Sequence, residues 1–230
     1  MAIQPVAFFD IDGTLFRSSL LIELVEELIA AGLFPASARN TYTDTYALWQ
    51  ARQGTYEAYI SSVIAAFQQH IAGVHYGDFA DLGQQIVSAK GKCVYRYTRS
   101  YIDRLKQEGY SIIAISQSPK TILDNFCREY GFDKVYGRLY AIDSMHRFTG
   151  ETLDEQLIAN KANIVSRVFA RHPDITAAGS IAVGDTDGDI PLLSAVEHPV
   201  CFNPNRALYD HATEHNWPIV VERKDVIYKL

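Results

Sequence analysis

Three short runs of unbroken apolar residues limit most strongly how this chain can fold. They are Val6-Ala7-Phe8-Phe9, Ile112-Ile113-Ala114-Ile115 and Ile181-Ala182-Val183. A strand with one face in water alternates apolar and polar side chains. A run with no polar position is a strand buried on both faces, as in a parallel sheet covered by helices. The windows are too short for buried helices. Each run stops at a small polar or acidic residue: Asp10, Ser116 and the pair Gly184-Asp185. Ligands of open α/β sheets bind beyond the carboxyl ends of the strands. Three such ends would therefore aim polar groups at one place.

The segments between the runs carry helical periods. Residues 118–131 place Ile122, Leu123, Phe126, Cys127 and Tyr130 on one face and stop at Gly131, with Ser118 as expected N-cap and Pro119 as first helical residue. Residues 160–171 repeat the pattern with Ile164, Val165, Val168 and Phe169, and residues 134–150 alternate loosely, which predicts one or two further strands. Residues 17–91 hold no strand signal. Leu21, Leu24, Val25, Leu28 and Ile29 predict a helix capped by Ser18 or Ser19 and stopped by Gly32. Three more helices are expected over 36–53, 56–72 and 78–89, the first two closed by Gly54 and Gly73. The expected fold class is α/β: a doubly wound parallel sheet. Residues 1–16 and 92–230 form its core, and residues 17–91 form a helical cap inserted after the first strand.

Composition narrows the partners. The chain has 230 residues, 48% of them hydrophobic and 21% charged, enough apolar surface for a packed core without staples. Twenty-seven acidic against 21 basic residues leave a net charge of −6. That balance argues against nucleic acid or an anionic membrane as the main partner, because both reward a basic surface. Cys93, Cys127 and Cys201 are odd in number and form no C-x-x-C pair, so they read as reduced thiols. The N-terminus has no basic stretch, and Asp10 and Asp12 interrupt the apolar segment that follows, unlike a signal peptide. No apolar run approaches the ~20 residues of a membrane span. The expectation is a soluble, cytoplasmic protein acting on a small molecule.

Two of the strand ends carry motifs. The first reads Asp10-Ile11-Asp12-Gly13-Thr14, and the third reads Gly184-Asp185-Thr186-Asp187-Gly188-Asp189. Together with Ser116 after the second run and Lys161 at a helix start, they resemble the four ordered motifs of the haloacid dehalogenase superfamily. The helical insert after the first motif and the tail from Phe202 to Ile219 resemble its phosphoserine-phosphatase-like branch. The resemblance implies a Mg²⁺-dependent phosphatase of a small organic phosphate monoester. In that reading Asp10 attacks phosphorus and becomes an aspartyl phosphate, and Asp12 protonates the leaving alkoxide and later activates water. Asp10, the backbone carbonyl of Asp12 and Asp185 would hold Mg²⁺, supported by Asp189. Ser116 and Lys161 would contact the phosphate, with Gln117 and Arg17 as further substrate contacts and Glu23 and Arg52 as weaker candidates. Gly13 would permit a tight turn and close approach of backbone to ligand.

Other readings remain beside this one. The same aspartyl phosphate could be handed to a hydroxyl acceptor, which would make a phosphotransferase or mutase. His211 to His215 spells H-x-x-E-H, a zinc pattern, but lies in a segment that reads as an ordinary helix of the α/β core. Tyr42, Tyr46 and Trp49 stand at helical spacing, which suits core packing first and a substrate lining second.

Overall fold

The computed structural model describes residues 3–230. Eight strands form one sheet: β1 (Gln4–Phe9), β2 (Ser111–Pro119), β3 (Lys134–Ile142), β4 (Phe148–Leu153), β5 (Ile175–Gly184), β6 (His198–Phe202), β7 (Ile219–Arg223) and β8 (Val226–Lys229). Their order is β4-β3-β2-β1-β5-β6-β7-β8. All pairs are parallel except the outermost two, β3 with β4 and β7 with β8. The three apolar runs are the adjacent central strands: Phe9 pairs with Ala114 of β2 on one side and Val183 of β5 on the other. The expected strands over 134–150 are β3 and β4, the latter running to Leu153.

Strand parity explains why these runs carry no polar position. Ala7, Phe9, Ile112, Ala114 and Val183 pack into one apolar cluster, while Val6, Phe8, Ile113, Ile115 and Ala182 pack into a second on the other face. Helices α8 (Lys161–Arg171), α9 (Ile190–Ser194) and α10 (Arg206–Glu214), with the short α7 (Glu155–Ala159), supply the second cluster. Helices α5 (Arg96–Gln107) and α6 (Lys120–Glu129) supply the first. Phe8 stands edge-on to Phe169 at 6.1 Å and Phe9 edge-on to Phe132 at 6.2 Å, one aromatic contact on each side of the sheet.

Between β1 and α5 the chain is helical, as expected: α1 (Leu20–Ala30), α2 (Thr43–Gln50), α3 (Tyr56–His70) and α4 (Tyr76–Lys90). Leu24, Leu28, Val63, Phe67, Phe79 and Ile86 of these helices join the same cluster as Ala7 and Phe9 of the sheet.

Three local expectations are corrected. Residues 36–53 are not one helix but a 3₁₀ helix, Ala36–Thr41, followed by α2. Tyr42 leaves helical geometry at the junction, at φ −125°, and its hydroxyl donates to Glu26 of α1 at 2.5 Å. Ser19 occupies the N-cap of α1 but its side chain caps nothing. The Leu20 N–H donates instead to Asp12 Oδ1 at 2.6 Å. Ser118 and Pro119 do not open α6 as cap and first residue. Both still belong to β2, and Pro119 is the N-cap with extended ψ 132°. The ring of a proline disfavours the helical region for the residue before it, so Ser118 continues the strand and its hydroxyl is free for another partner.

Candidate active site

The carboxyl ends of β1, β2 and β5 meet where the chain, having built β2 and β3 on one side of β1, crosses to β5 on the other. This is the switch point at which a crevice opens in a doubly wound sheet. Asp10 follows β1, with its N–H donated to Val183 of β5 at 2.9 Å. Its side chain is buried. Oδ1 accepts from Lys161 Nζ at 2.5 Å, while Oδ2 is buried with no hydrogen-bond partner.

Lys161 is the first residue of α8, placed by its neighbour: Asn160 caps the helix by accepting from the Ala162 N–H at 3.0 Å. The lysine is only 7% exposed, a costly place for an ammonium unless anions surround it. Two do. Nζ donates to Asp10 Oδ1 and to Asp189 Oδ1, each at 2.5 Å. Burial opposes the charge, yet the two carboxylates hold its pKa above the ordinary lysine value.

Asp189 closes the third motif on itself. Its Oδ2 accepts from the N–H of Asp185 at 3.0 Å, the N–H of Thr186 at 3.1 Å and the Thr186 hydroxyl at 3.3 Å. This is a capping box around the 3₁₀ turn Asp187–Asp189. With Oδ1 on Lys161, both oxygens of Asp189 are engaged. Asp185 accepts from Thr14 Oγ1 at 3.1 Å on Oδ1. Gly13, at φ +83°, passes so near that a Cβ there would collide with Asp185 Oδ2. Asp187 points aside to Asn205, whose side chain donates to it at 2.6 Å.

Asp12 is held by three donors. Leu20 N–H binds Oδ1, while the hydroxyls of Ser116 and Ser118 both donate to Oδ2, at 2.6 and 2.8 Å. The Ser118 N–H also donates to Ser116 Oγ at 2.9 Å.

Carboxylate oxygens of Asp10, Asp185 and Asp189 lie within 4.8 Å of one another. Burial pushes Asp10 up to about 7, against the pull of Lys161 and with the help of Asp189 and Asp12. Burial, then the Asp10 and Asp189 charges, hold Asp185 well above the usual carboxylate range. The unpartnered Asp10 Oδ2 and this gathering of hard oxygens fit a divalent cation.

The sequence-predicted residues divide accordingly. Asp10, Asp12, Ser116, Lys161, Asp185 and Asp189 come together. Gln117 is engaged elsewhere: its amide donates to Ile158 O and accepts from Arg138, both at 2.6 Å. Arg17 is exposed, with its guanidinium 5.7 Å from the Tyr95 ring centre. Glu23 pairs with Lys90. Arg52 lies just past the C-terminal end of α2, in the left-handed region at φ 60°. His211 and His215 stack on each other at 3.9 Å beside Trp217.

Sequence reasoning missed Ser118, Thr14, Thr186 and the Leu20 N–H. Thr186 was findable, since T-x-x-D before an apolar turn is a capping signal. It also missed Tyr56 in the first turn of α3. Burial, then the Asp12 and Asp185 charges, push its phenol upward. Tyr56 packs with Trp49 at 5.5 Å, and Trp49 stacks on Tyr59.

The comparisons bear on the fold and the family. The chain is 25% identical over 225 residues to phosphoserine phosphatase SerB1 of Mycobacterium tuberculosis, covering 94% of this chain and 70% of that protein. It is 23% identical over 224 residues to a histidinol-phosphatase of Neisseria meningitidis, covering 94% and 98%. A solved phospho-aspartyl intermediate analogue of phosphoserine phosphatase shares the fold with TM-score 0.63 at 15% identity, covering 98% of this chain and 96% of that one. The family described as haloacid dehalogenase-like hydrolase matches residues 7–194, from the first strand through the last acidic motif, and the chain belongs to that family.

Proposed function

We propose that the chain is a Mg²⁺-dependent phosphatase that hydrolyses a small organic phosphate monoester through an aspartyl phosphate. The observation that carries this reading is the Asp10 carboxylate: buried, pinned at Oδ1 by Lys161, and left with a free Oδ2 at the sheet's switch point. Two similar proteins named as phosphatases support the reaction class.

An Asp10 oxygen attacks phosphorus, and the bond from phosphorus to the ester oxygen breaks. Asp12 gives its proton to that oxygen and the alcohol leaves. A water then attacks the aspartyl phosphate while Asp12 takes its proton, and inorganic phosphate departs with Asp10 restored. Ser116 donates to a phosphate oxygen and Lys161 places a positive charge beside the transferring group. Asp10, the Asp12 carbonyl and Asp185 would hold Mg²⁺, with Asp189 fixing Lys161 and the 185–186 backbone around it. The ion, when bound, neutralises phosphate charge so that two anions can meet. Residues 17–91 serve as the cap over the site, with Tyr56 and Arg17 as its contacts toward the leaving group. Gln117 supports the loop more than the ligand.

Asp10→Asn and Asp12→Asn, assayed with para-nitrophenyl phosphate and Mg²⁺, test the reading. Both are expected to lose activity, and EDTA to abolish it in the parent enzyme. Full activity in Asp10→Asn would remove the nucleophile, and indifference to EDTA would remove the metal. Free phosphate as the sole product marks hydrolysis; transfer to an added alcohol would make the chain a phosphotransferase.

A further inference from the structure

We propose that Ser118 is a positioning residue for Asp12, holding that carboxyl group toward the leaving oxygen while Ser116 is occupied by the phosphate. The inference rests on the phosphatase reading above and concerns a residue that reading does not use.

Proton counting leads to it. Ser116 and Ser118 each have a single hydroxyl proton, and both now point at Asp12 Oδ2, from 2.6 and 2.8 Å. When Ser116 turns its proton to a phosphate oxygen, it releases Asp12. The Ser118 hydroxyl then remains as the side-chain donor on Oδ2, opposite the Leu20 N–H on Oδ1. Ser118 also contributes through its backbone. Its N–H donates to Ser116 Oγ at 2.9 Å, so the oxygen of Ser116 stays in place while its proton rotates.

The local sequence makes this arrangement rigid. Pro119 keeps Ser118 extended, which removes the hydroxyl from the start of α6, where a serine would otherwise cap the helix. The β2–β3 register shifts between Ile115 and Pro119, and in that irregular stretch both serine hydroxyls reach one carboxylate. Ser118 is 3% exposed, and a buried hydroxyl on a functional carboxylate is not readily replaced by solvent.

The test reads Asp12 through the leaving group. kcat/KM is measured for a series from para-nitrophenyl phosphate, whose leaving group needs no proton, through phenyl phosphate to a simple alkyl phosphate, whose alkoxide does. Ser118→Ala is expected to lose roughly ten- to hundredfold on the alkyl and phenyl esters, and under about threefold on the nitrophenyl ester. Ser118→Cys keeps the buried volume but donates weakly, and is expected to fall the same way. Ser118→Thr keeps the hydroxyl and is expected to restore most of the loss. Asp12→Asn is the reference, with the same dependence and larger losses. An equal loss across the series in Ser118→Ala and Ser118→Cys, or no loss, overturns the positioning role while leaving the phosphatase reading intact. If Asp12→Asn itself ignores the leaving group, the acid–base assignment falls and Ser118 falls with it.

Discussion

Replacing Lys161 by methionine keeps most of the buried side chain and removes the ammonium that sits between two carboxylates. Its Nζ lies 2.5 Å from Asp10 and from Asp189, with 8% of the lysine side chain exposed, so water can screen little of the loss. Removing one partner of a buried ion pair costs about 3–5 kcal/mol, because the other charge is left in a poor solvent. The sign of the pH dependence follows from Asp10, whose burial raises its pKa to about 7, above the ordinary aspartate value of about 3.9. Across that window the folded protein binds more protons than the unfolded chain, so stability falls as pH rises through it. Lys161 opposes the fall by favouring the Asp10 anion. Lys161→Met is therefore expected to steepen it, destabilising the protein by about 3–5 kcal/mol near about pH 8. Near about pH 5 Asp10 is protonated in the folded state, and the penalty should shrink by at least about 1 kcal/mol. Urea unfolding in EDTA, followed by fluorescence of Trp49 and Trp217, measures both values. A destabilisation below about 1 kcal/mol at the higher pH would refute the ion-pair reasoning. So would one that is equal at both pH values, since that would report lost packing and not lost charge.

Further outcomes can be measured in the same preparations. Gly13→Ala adds a Cβ at φ +83° against Asp185 Oδ2, and is expected to cost at least about 1–2 kcal/mol and to weaken Mg²⁺ binding in a calorimetric titration. Undiminished Mg²⁺ affinity would contradict the proposed role of Asp185. Glu222→Ala removes a carboxylate that accepts from the first N–H groups of α5, Arg96 at 3.1 Å and Tyr97 at 2.8 Å; thermal melts should show a loss of about 1 kcal/mol with kcat and KM unchanged. Gln117→Ala should lower stability through Ile158 and Arg138 and leave KM within about twofold, whereas a large KM rise would return Gln117 to the substrate. Phe8→Ala, at a fully buried position in the central strand, should cost about 3–5 kcal/mol in urea unfolding.

The amino-acid sequence by itself determined the three central strands and their burial on both faces, the helical stretch between the first two, and the acidic and hydroxyl residues at their ends. Those properties are local: unbroken apolar runs, helical periods, and turn and cap residues read within a few positions. It also marked Lys161 as a site candidate through its resemblance to the third motif of the haloacid dehalogenase superfamily. What it could not determine were the partners of the polar side chains. Ser118-Pro119 has the local form of a helix start, and only the sheet register, which carries β2 through Pro119 beside Arg138, turned its hydroxyl to a carboxylate 106 residues away in sequence. Gln117 looked like a ligand contact until Ile158 and Arg138 took both ends of its amide. Ser19 looked like the cap of α1 until Asp12, held in the loop after β1, met the Leu20 N–H first. Lys161 found Asp10 and Asp189 only when β1 and β5 became neighbours. Hydrogen bonds and ion pairs act over a few ångströms in space without regard to separation along the chain. The sequence could therefore supply the chemical groups of the site, and the tertiary fold alone decided which group faces which.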